Sequence, residues 1–200
     1  MKIKNVVFDI GGVLVRWEPL ELIKKIFPQA NPKEFYQQMR PIWLDLNLGK
    51  LTIEEAIRQY EASLGLPKDK LLALMDECIK DQTPLDGSIA LLQKLNSSGL
   101  NLFAITDNIR EIMDYHREVS EFPKYFKDIV VSADIGVLKP DSRIYQHLID
   151  KQHLNPAECV FIDDTLANVE GAIAVGMHAF QFIDMLSCEQ ELIALIDGFY

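Results

Sequence analysis

The chain has 200 residues, of which 48% are hydrophobic, and its formal net charge at pH 7 is −10. This length allows one full core with a small second lobe, while the acidic balance argues against a nucleic-acid or anionic membrane partner, and no apolar run is long enough to span a bilayer. Three scattered cysteines, Cys78, Cys159 and Cys188, fit neither a disulfide framework nor a zinc site and favour a reducing, cytoplasmic location.

The first element is a short apolar run, residues 6–8, which is followed by Asp9 and by the glycines Gly11 and Gly12. Such a run favours a strand buried on both faces, so Asp9 stands where the strand leaves the sheet. A carboxylate among apolar residues is costly to desolvate unless it is paired or bound to a cation, and none of the next six residues is basic. A group elsewhere in the chain must therefore satisfy Asp9, although an acid before two glycines is also typical of a simple turn.

Between about residue 19 and residue 83 the sequence has helical periodicity and no convincing strand. Apolar residues recur at helical spacing in four segments, residues 20–27, 32–43, 52–64 and 68–79. The third segment begins with a capping box, in which Thr52 is followed three residues later by Glu55. Together these segments predict a four-helix lobe inserted after the first strand.

From residue 85 onward, strand and helix patterns alternate, as they do in parallel sheets with helical crossovers. We predict strands at residues 100–105, 129–132, 159–162 and 178–182. Helices are predicted around residues 89–95, from residue 109, after Asp141, between Asp164 and Gly176, and at residues 189–196, and residues 136–140 are predicted to form an exposed loop.

Polar side chains follow several of these strands immediately or closely, namely Asp9, Thr106, Lys139 and the pair Asp163 and Asp164. Because the carboxyl ends of parallel strands share one edge of the sheet, we expect these residues to converge there. The helical lobe interrupts the alternation just after the first strand, so we expect it to lie over the same edge as a lid.

This set of side chains predicts a phosphoryl-transfer site. Three carboxylates in one place would repel one another, and Mg²⁺ is the cation that best resolves this. Asp9 can act as the nucleophile, Thr106 and the turn of Asp107 and Asn108 offer donors to phosphate oxygens, and Lys139 neutralises the charge of the transferring group. Taken alone, Thr106 is more typical of a helix cap and Lys139 of a solvated loop.

In these motifs the chain resembles the haloacid dehalogenase superfamily, and most closely its Mg²⁺-dependent phosphatases with a helical cap. The resemblance covers essentially the whole length and lies in four ordered motifs, residues 8–13, 105–108, 138–141 and 161–164 together with Asn168. It implies an α/β fold with a Rossmann-like parallel sheet core, formed by residues 1–15 and 85–200, and an inserted all-helical cap of residues 16–84.

The resemblance also implies a mechanism and a metal site. It implies an aspartyl-phosphate at Asp9. It also implies Mg²⁺ held by Asp9, by the carbonyl of Gly11 and by Asp163 or Asp164, with Asn168 supporting these ligands without binding the metal itself. The expected substrate is a small phosphorylated metabolite, and neither a nucleic acid nor a membrane is expected as a partner.

One position departs from the family pattern. The family's phosphatases usually carry a second Asp two residues after the nucleophile, which protonates the leaving group, and here that position is Gly11. Proton transfer of this kind contributes typically about 10²- to 10⁴-fold. Our preferred hypothesis is therefore a substrate with a good leaving group, such as an anomeric sugar phosphate, and the alternative is that another group, an ordered water or a substrate hydroxyl moves the proton.

Two other functions stay open at this point. A 2-haloacid dehalogenase also uses the first Asp as its nucleophile and lacks the second, but it needs no metal and leaves the pair Asp163 and Asp164 unexplained. A non-catalytic relative that binds phosphate or a protein would keep the fold without turnover.

Substrate choice is expected to depend on the helical cap. Residues 49–52 resemble a cap turn of sugar-phosphate and dehalogenase-like members, and five residues near this turn or the first motif are candidates for substrate contact: Arg16, Trp17, Arg40, Trp43 and Asn47. Taken alone, Trp43 is more typical of a cap core, and Arg40 of a surface charge. The four histidines show no metal-binding spacing and are predicted to be surface or core residues. The sequence leaves the substrate and the oligomeric state open.

Overall fold

The computed structural model describes residues 2–196. Its centre is a five-stranded parallel sheet with the strand order β3-β2-β1-β4-β5. The strands are β1 (Asn5–Phe8), β2 (Asn101–Thr106), β3 (Asp128–Val131), β4 (Cys159–Asp163) and β5 (His178–Gln181). In this order β1 lies in the middle, where Phe8 is in register with Ala104 of β2 and Ile162 of β4. The residues that follow β1 therefore emerge at the centre of the carboxyl edge.

Helices cover both faces of the sheet, which agrees with the α/β, Rossmann-like fold expected from the sequence. They are α5 (Ser88–Ser97), α6 (Arg110–Val119), α7 (Ser132–Ile135), α8 (Ser142–Gln152), α9 (Leu166–Ala174) and α10 (Met185–Leu195). Val6 and Phe8 belong to the apolar cluster on one face, and Val7 belongs to the cluster on the other. Such alternation with full burial is what a central parallel strand requires.

The segment between β1 and β2 forms four further helices, which we call the helical insertion. They are α1 (Pro19–Ile26), α2 (Pro32–Asn47), α3 (Ile53–Leu64) and α4 (Lys68–Lys80). They share an apolar cluster of their own, which includes the fully buried Tyr60 and Leu71 and also takes in Ile109 and Ile112 from the start of α6. The four predicted helices are thus confirmed, and the division into core and cap domains stays a prediction.

The capping box at the start of α3 is also confirmed. The Thr52 hydroxyl accepts a hydrogen bond from the Glu55 backbone N–H at 3.2 Å, and the Thr52 backbone N–H donates to the Glu55 carboxylate at 2.8 Å.

Two contacts join the helical insertion to the carboxyl edge of the sheet. The Ser132 hydroxyl, just after β3, lies 2.6 Å from the carbonyl oxygen of Asn47 at the end of α2. Gly49 packs against the carbonyl of Ala133 with a φ of +66°, so close that a side chain at this position would meet that carbonyl. The insertion therefore lies over the edge where the strands end, as its place in the sequence predicted. Within residues 2–196, no helix is long and apolar enough to cross a membrane.

Several predicted boundaries are wrong. Helix α2 continues through Pro41 to Asn47, and α10 begins at Met185 because Asp184 caps it by accepting from the Ser187 N–H at 2.8 Å. β3 ends at Val131, since Ser132 already begins α7, and β5 ends at Gln181. The loop of residues 136–140 is not fully exposed, because Lys139 is buried.

Candidate active site

A buried ammonium group lies at the centre of the carboxyl edge. Lys139 Nζ is 2.7 Å from Asp9 Oδ1 and 2.8 Å from Asp163 Oδ2, and it also donates to the carbonyl of Ile105 at 3.2 Å. The side chains of Lys139 and Asp163 are 1% and 0% exposed, and that of Asp9 is 11% exposed. The distant partner that Asp9 required is therefore Lys139, and these groups converge from the ends of β1 and β4 and from the loop that follows α7.

One ammonium does not neutralise the carboxylates around it. Burial raises the pKa of Asp9 to about 7, and the charge of Asp163 adds to this rise while Lys139 opposes it. Burial also lowers the pKa of Lys139, but the charges of Asp9 and Asp163 outweigh this effect and hold its pKa above the ordinary value. A further cation near Asp9 would favour its ionised form.

The adjacent acids Asp163 and Asp164 have different surroundings. Asp163 is fully buried and accepts hydrogen bonds from Asn168 Nδ2 at 3.0 and 3.1 Å and from the Thr165 N–H at 2.8 Å. Asp164 is exposed and accepts from the Thr165 hydroxyl at 3.3 Å, and partial burial raises its pKa. Asp163 therefore holds Lys139 in place, whereas Asp164 presents its carboxylate toward the first motif.

Gly12 makes room for the Asp164 carboxylate. Its φ of +79° lies in the left-handed region, and a Cβ at this position would lie 2.6 Å from Asp164 Oδ2. At Gly11 the nearest atom to such a Cβ is Trp17 Cβ at 3.6 Å, an ordinary contact. The two glycines thus differ, since Gly12 is required by the packing and Gly11 is not.

The donor set at this edge fits a hard divalent cation. Asp9, Asp163 and Asp164 each offer a carboxylate oxygen, and these atoms lie within 4.8 Å of one another. Gly11 lines the same cleft. Oxygen ligands with excess negative charge are what Mg²⁺ prefers, so these residues could hold it.

The residues at the end of β2 line the cleft as predicted, but not all of their polar groups are available to a phosphate. Thr106, Asp107 and Asn108 all line it, but the Asn108 backbone N–H donates to Ser132 Oγ at 3.0 Å and its side chain accepts from the Ile109 N–H at 2.9 Å. The Asp107 carboxylate accepts from the Lys139 N–H at 3.0 Å, and burial raises its pKa. Thr106 is thus the residue of this turn with a hydroxyl to offer to a phosphate.

The cleft has a volume of about 290 Å³ and lies between the strand ends and the helical insertion. From the strand ends come Asp9, Gly11, Thr106, Asp107, Asn108, Lys139, Asp164, Thr165 and Asn168. The insertion and its flanks supply Trp17, Tyr36, Arg40, Trp43, Leu44, Asn47 and Gln82. Four of the five substrate candidates therefore reach the cleft.

The fifth candidate, Arg16, does not line the cleft. It is exposed and forms an ion pair with Glu18 at 3.3 Å. Lys50, in the turn after α2, pairs with Asp45 at 3.0 Å and does not line the cleft either. Tyr36 and Gln82 do line it, and no sequence pattern predicts this because neither residue lies near a motif.

A buried histidine lies behind Gln82. His116 is fully buried, and it is therefore a core residue, one of the two environments predicted for the histidines. Its Nδ1 lies 2.8 Å from the Ser120 hydroxyl, and its Nε2 lies 3.2 Å from Gln82 Oε1. Burial lowers the pKa of His116 to about 4, so the ring is neutral at pH 7. Gln82 in turn donates to the Cys78 carbonyl at 2.9 Å, and its amide is fixed at the wall of the cleft.

The sequence is similar to those of known hydrolases. A family model described as haloacid dehalogenase-like hydrolase matches residues 3–176. The chain is 30% identical to a sesquiterpene phosphatase of Aspergillus oryzae over 196 residues, which cover 96% of each protein. It is 25% identical to a D-ribitol-5-phosphate phosphatase of Bacteroides thetaiotaomicron, over 98% of this chain and 100% of the other.

A solved structure has the same fold. It is a HAD family enzyme from Bacteroides thetaiotaomicron in complex with magnesium and inorganic phosphate, and it matches with a TM-score of 0.76 at 21% identity, over 93% of this chain and 98% of the other.

Proposed function

The chain belongs to the haloacid dehalogenase-like hydrolases, and we propose that it is a Mg²⁺-dependent phosphomonoester hydrolase that forms an aspartyl-phosphate at Asp9. The observation that carries this proposal is the convergence of Asp9, Lys139, Asp163 and Asp164 at one sheet edge, with three carboxylate oxygens within 4.8 Å of one another. The relatives named above are phosphatases, which supports the phosphatase class in general.

Asp9 is oriented for attack on phosphorus. Both its hydrogen bond from the Ile10 N–H at 2.7 Å and its ion pair with Lys139 involve Oδ1, so Oδ2 carries neither contact. Oδ2 would form the new P–O bond while the bond between phosphorus and the leaving oxygen breaks, and water would later release inorganic phosphate and restore the carboxylate. Lys139 and the Thr106 hydroxyl would stabilise the charge on the transferring group.

For the metal, we propose Asp9, Asp164 and the Gly11 carbonyl as direct ligands. Asp163 already accepts hydrogen bonds from Asn168 and Thr165 and pairs with Lys139, so its role is to fix that lysine beside the ligands. When bound, Mg²⁺ supplies positive charge that offsets both the carboxylates and the phosphoryl oxygens.

The substrate that we propose is a small phosphorylated metabolite whose leaving group needs little protonation. Position 11 carries no side chain, so the family's usual proton donor is missing, and esters with stabilised leaving groups, such as anomeric sugar phosphates, are least affected by this loss. We further propose that the helical insertion acts as a cap that selects the substrate, through Trp17, Arg40, Trp43 and Asn47, and that the protein is cytoplasmic.

The test is a panel of phosphomonoesters assayed with Mg²⁺ and with excess chelator, using the wild type and Asp9→Asn. We expect hydrolysis that chelation abolishes and that Asp9→Asn lowers by at least about 10⁴-fold. Asp76→Asn, which removes an exposed carboxylate paired with Lys80 on α4, is the control and should keep full activity. Metal-independent release of halide from 2-haloacids would instead identify a dehalogenase and overturn the proposal.

A further inference from the structure

A second, apolar recess opens beside the cleft, inside the helical insertion. It has a volume of about 30 Å³ and shares four lining residues with the cleft, Trp17, Tyr36, Arg40 and Trp43. Its own walls come from α1, α2 and α4 and include Ile23, Met39, Leu74, Met75 and Cys78. The recess therefore lies directly beside the cleft, with these four side chains between the two.

Two aromatic rings lie between the recess and the cleft. Trp17 and Trp43 stack with their ring centroids 5.7 Å apart and their planes at 24°. Trp17 also lies next to Gly11, because a Cβ at position 11 would be 3.6 Å from Trp17 Cβ. Since Gly11 and Asp9 line the same cleft, the recess begins close to the place where the leaving group must lie.

The deeper walls offer few partners to a polar group. Leu74, Met75 and Cys78 are buried side chains of α4, and burial raises the pKa of the Cys78 thiol, so it is not an anion at neutral pH. A hydroxyl placed against such walls would lose its hydrogen bonds to water, whereas a methyl or methylene group would gain from leaving water. The walls therefore favour hydrocarbon.

We propose that the recess binds an apolar part of the leaving group, so that, among phosphomonoesters whose leaving group needs little protonation, the preferred substrates carry a compact apolar group near the ester oxygen. This inference rests on the proposed function and narrows it. A fully hydroxylated sugar would leave the recess unfilled. The recess is small, about 30 Å³, so it takes only one or two carbon-sized groups, and the rest of the substrate stays in the cleft.

The inference can be tested by binding, independently of turnover. Calorimetry with wild-type protein and Mg²⁺ would use the alkylphosphonates from methyl to hexyl, whose C–P bond is not hydrolysed. We expect the affinity to rise about fourfold for each methylene that enters the recess and then to level off. The kcat/KM values for the matching alkyl phosphates should follow the same series and exceed the value for glycerol 3-phosphate.

Two variants should change the dependence of alkylphosphonate affinity on chain length in opposite directions. Cys78→Leu fills the recess and should remove the rise with chain length, while Met75→Ala enlarges it and should extend the rise to longer chains. Ile57→Val is the matched control, since Ile57 is buried in the same apolar cluster but does not line the recess, and it should leave the series unchanged.

The outcomes separate this inference from the proposed function. Phosphonate affinities that are independent of chain length, together with Mg²⁺-dependent hydrolysis that favours polyol phosphates, would overturn the apolar recess and leave the phosphatase proposal intact. Absence of both phosphonate binding and phosphomonoester hydrolysis would overturn both.

Discussion

The two sides of the cleft are built in different ways. At the strand ends, the side chains of Asp9, Lys139 and Asp163 are nearly inaccessible and are held by ion pairs of 2.7 and 2.8 Å. On the helical side, Trp17 and Trp43 are half-buried and stack on each other, and Arg40 is exposed. A buried ionic set is tolerated only when its geometry is fixed, whereas apolar walls tolerate changes of shape. We therefore expect the strand ends to determine the chemistry and the helical side to determine discrimination between substrates.

The largest effect should follow from removing the central ammonium. Lys139→Met leaves the buried carboxylates of Asp9 and Asp163 unpaired and should lower the free energy of unfolding by about 3–5 kcal/mol without Mg²⁺. Lys80→Met, which breaks an exposed ion pair with Asp76, is the control and should cost less than about 1 kcal/mol. Urea unfolding measures both, and equal costs would show that the ionic cluster is not a structural unit.

A proton donor introduced at position 11, where the two sides of the cleft meet, should raise the rate of hydrolysis. Gly11→Asp fits, because the nearest neighbour of an added Cβ lies 3.6 Å away and φ at this position is not left-handed. We expect kcat for simple alkyl phosphates to rise about 10- to 100-fold relative to Gly11→Asn, with little change for 4-nitrophenyl phosphate. Equal gains for both esters would mean that protonation of the leaving group does not limit the wild-type enzyme.

Gln82, on the helical side of the cleft, is supported by a neutral histidine of α6, His116. Unfolded His116 gains a proton below its ordinary pKa of 6.5, while the folded form resists protonation until about pH 4, so folding stability falls as the pH drops from about 6.5 to about 4. Between pH 7 and pH 5 the wild type should lose about 2 kcal/mol more than His116→Gln. Parallel stability profiles for the two proteins would contradict the buried, neutral state.

A smaller effect should distinguish the two glycines of the first motif. Gly12→Ala should cost about 1–2 kcal/mol because of its positive φ, and it should weaken Mg²⁺ binding because its Cβ would lie 2.6 Å from Asp164 Oδ2. Gly11→Ala, at a site with space for the methyl group, should change both quantities little. Urea unfolding and Mg²⁺ titration by calorimetry provide the measurements, and identical behaviour would exclude Gly12 as the support of Asp164.

The two sides of the cleft also differ in how far their residues could be predicted from the sequence. Asp9, Thr106, Lys139 and the Asp163–Asp164 pair follow strands, and parallel strands end at one edge, so their convergence could be expected from chain order alone. The burial of Lys139 could not be predicted from the sequence. Its loop shows no apolar periodicity, and the ammonium is held by acids far away in the sequence.

The helical side was less predictable. Tyr36 and Gln82 reach the cleft through the packing of helices, and nothing in the local pattern distinguishes them from ordinary residues of α2 and of the segment after α4. Arg16 was expected near the substrate on proximity to the first motif, yet it turns outward to Glu18. Ser132 was predicted only as the end of a strand, although its hydroxyl contacts both Asn47 and Asn108.

The central claim is that Asp9 carries the phosphoryl group during turnover. The most direct test mixes the enzyme with Mg²⁺ and a hydrolysed phosphomonoester, quenches the reaction in acid within the first turnovers, and locates added phosphate by peptide mass spectrometry. We expect one phosphoryl group on the peptide that contains Asp9 and none in Asp9→Asn. Turnover without a phosphorylated Asp9 peptide, or turnover retained in Asp9→Asn, would contradict the mechanism.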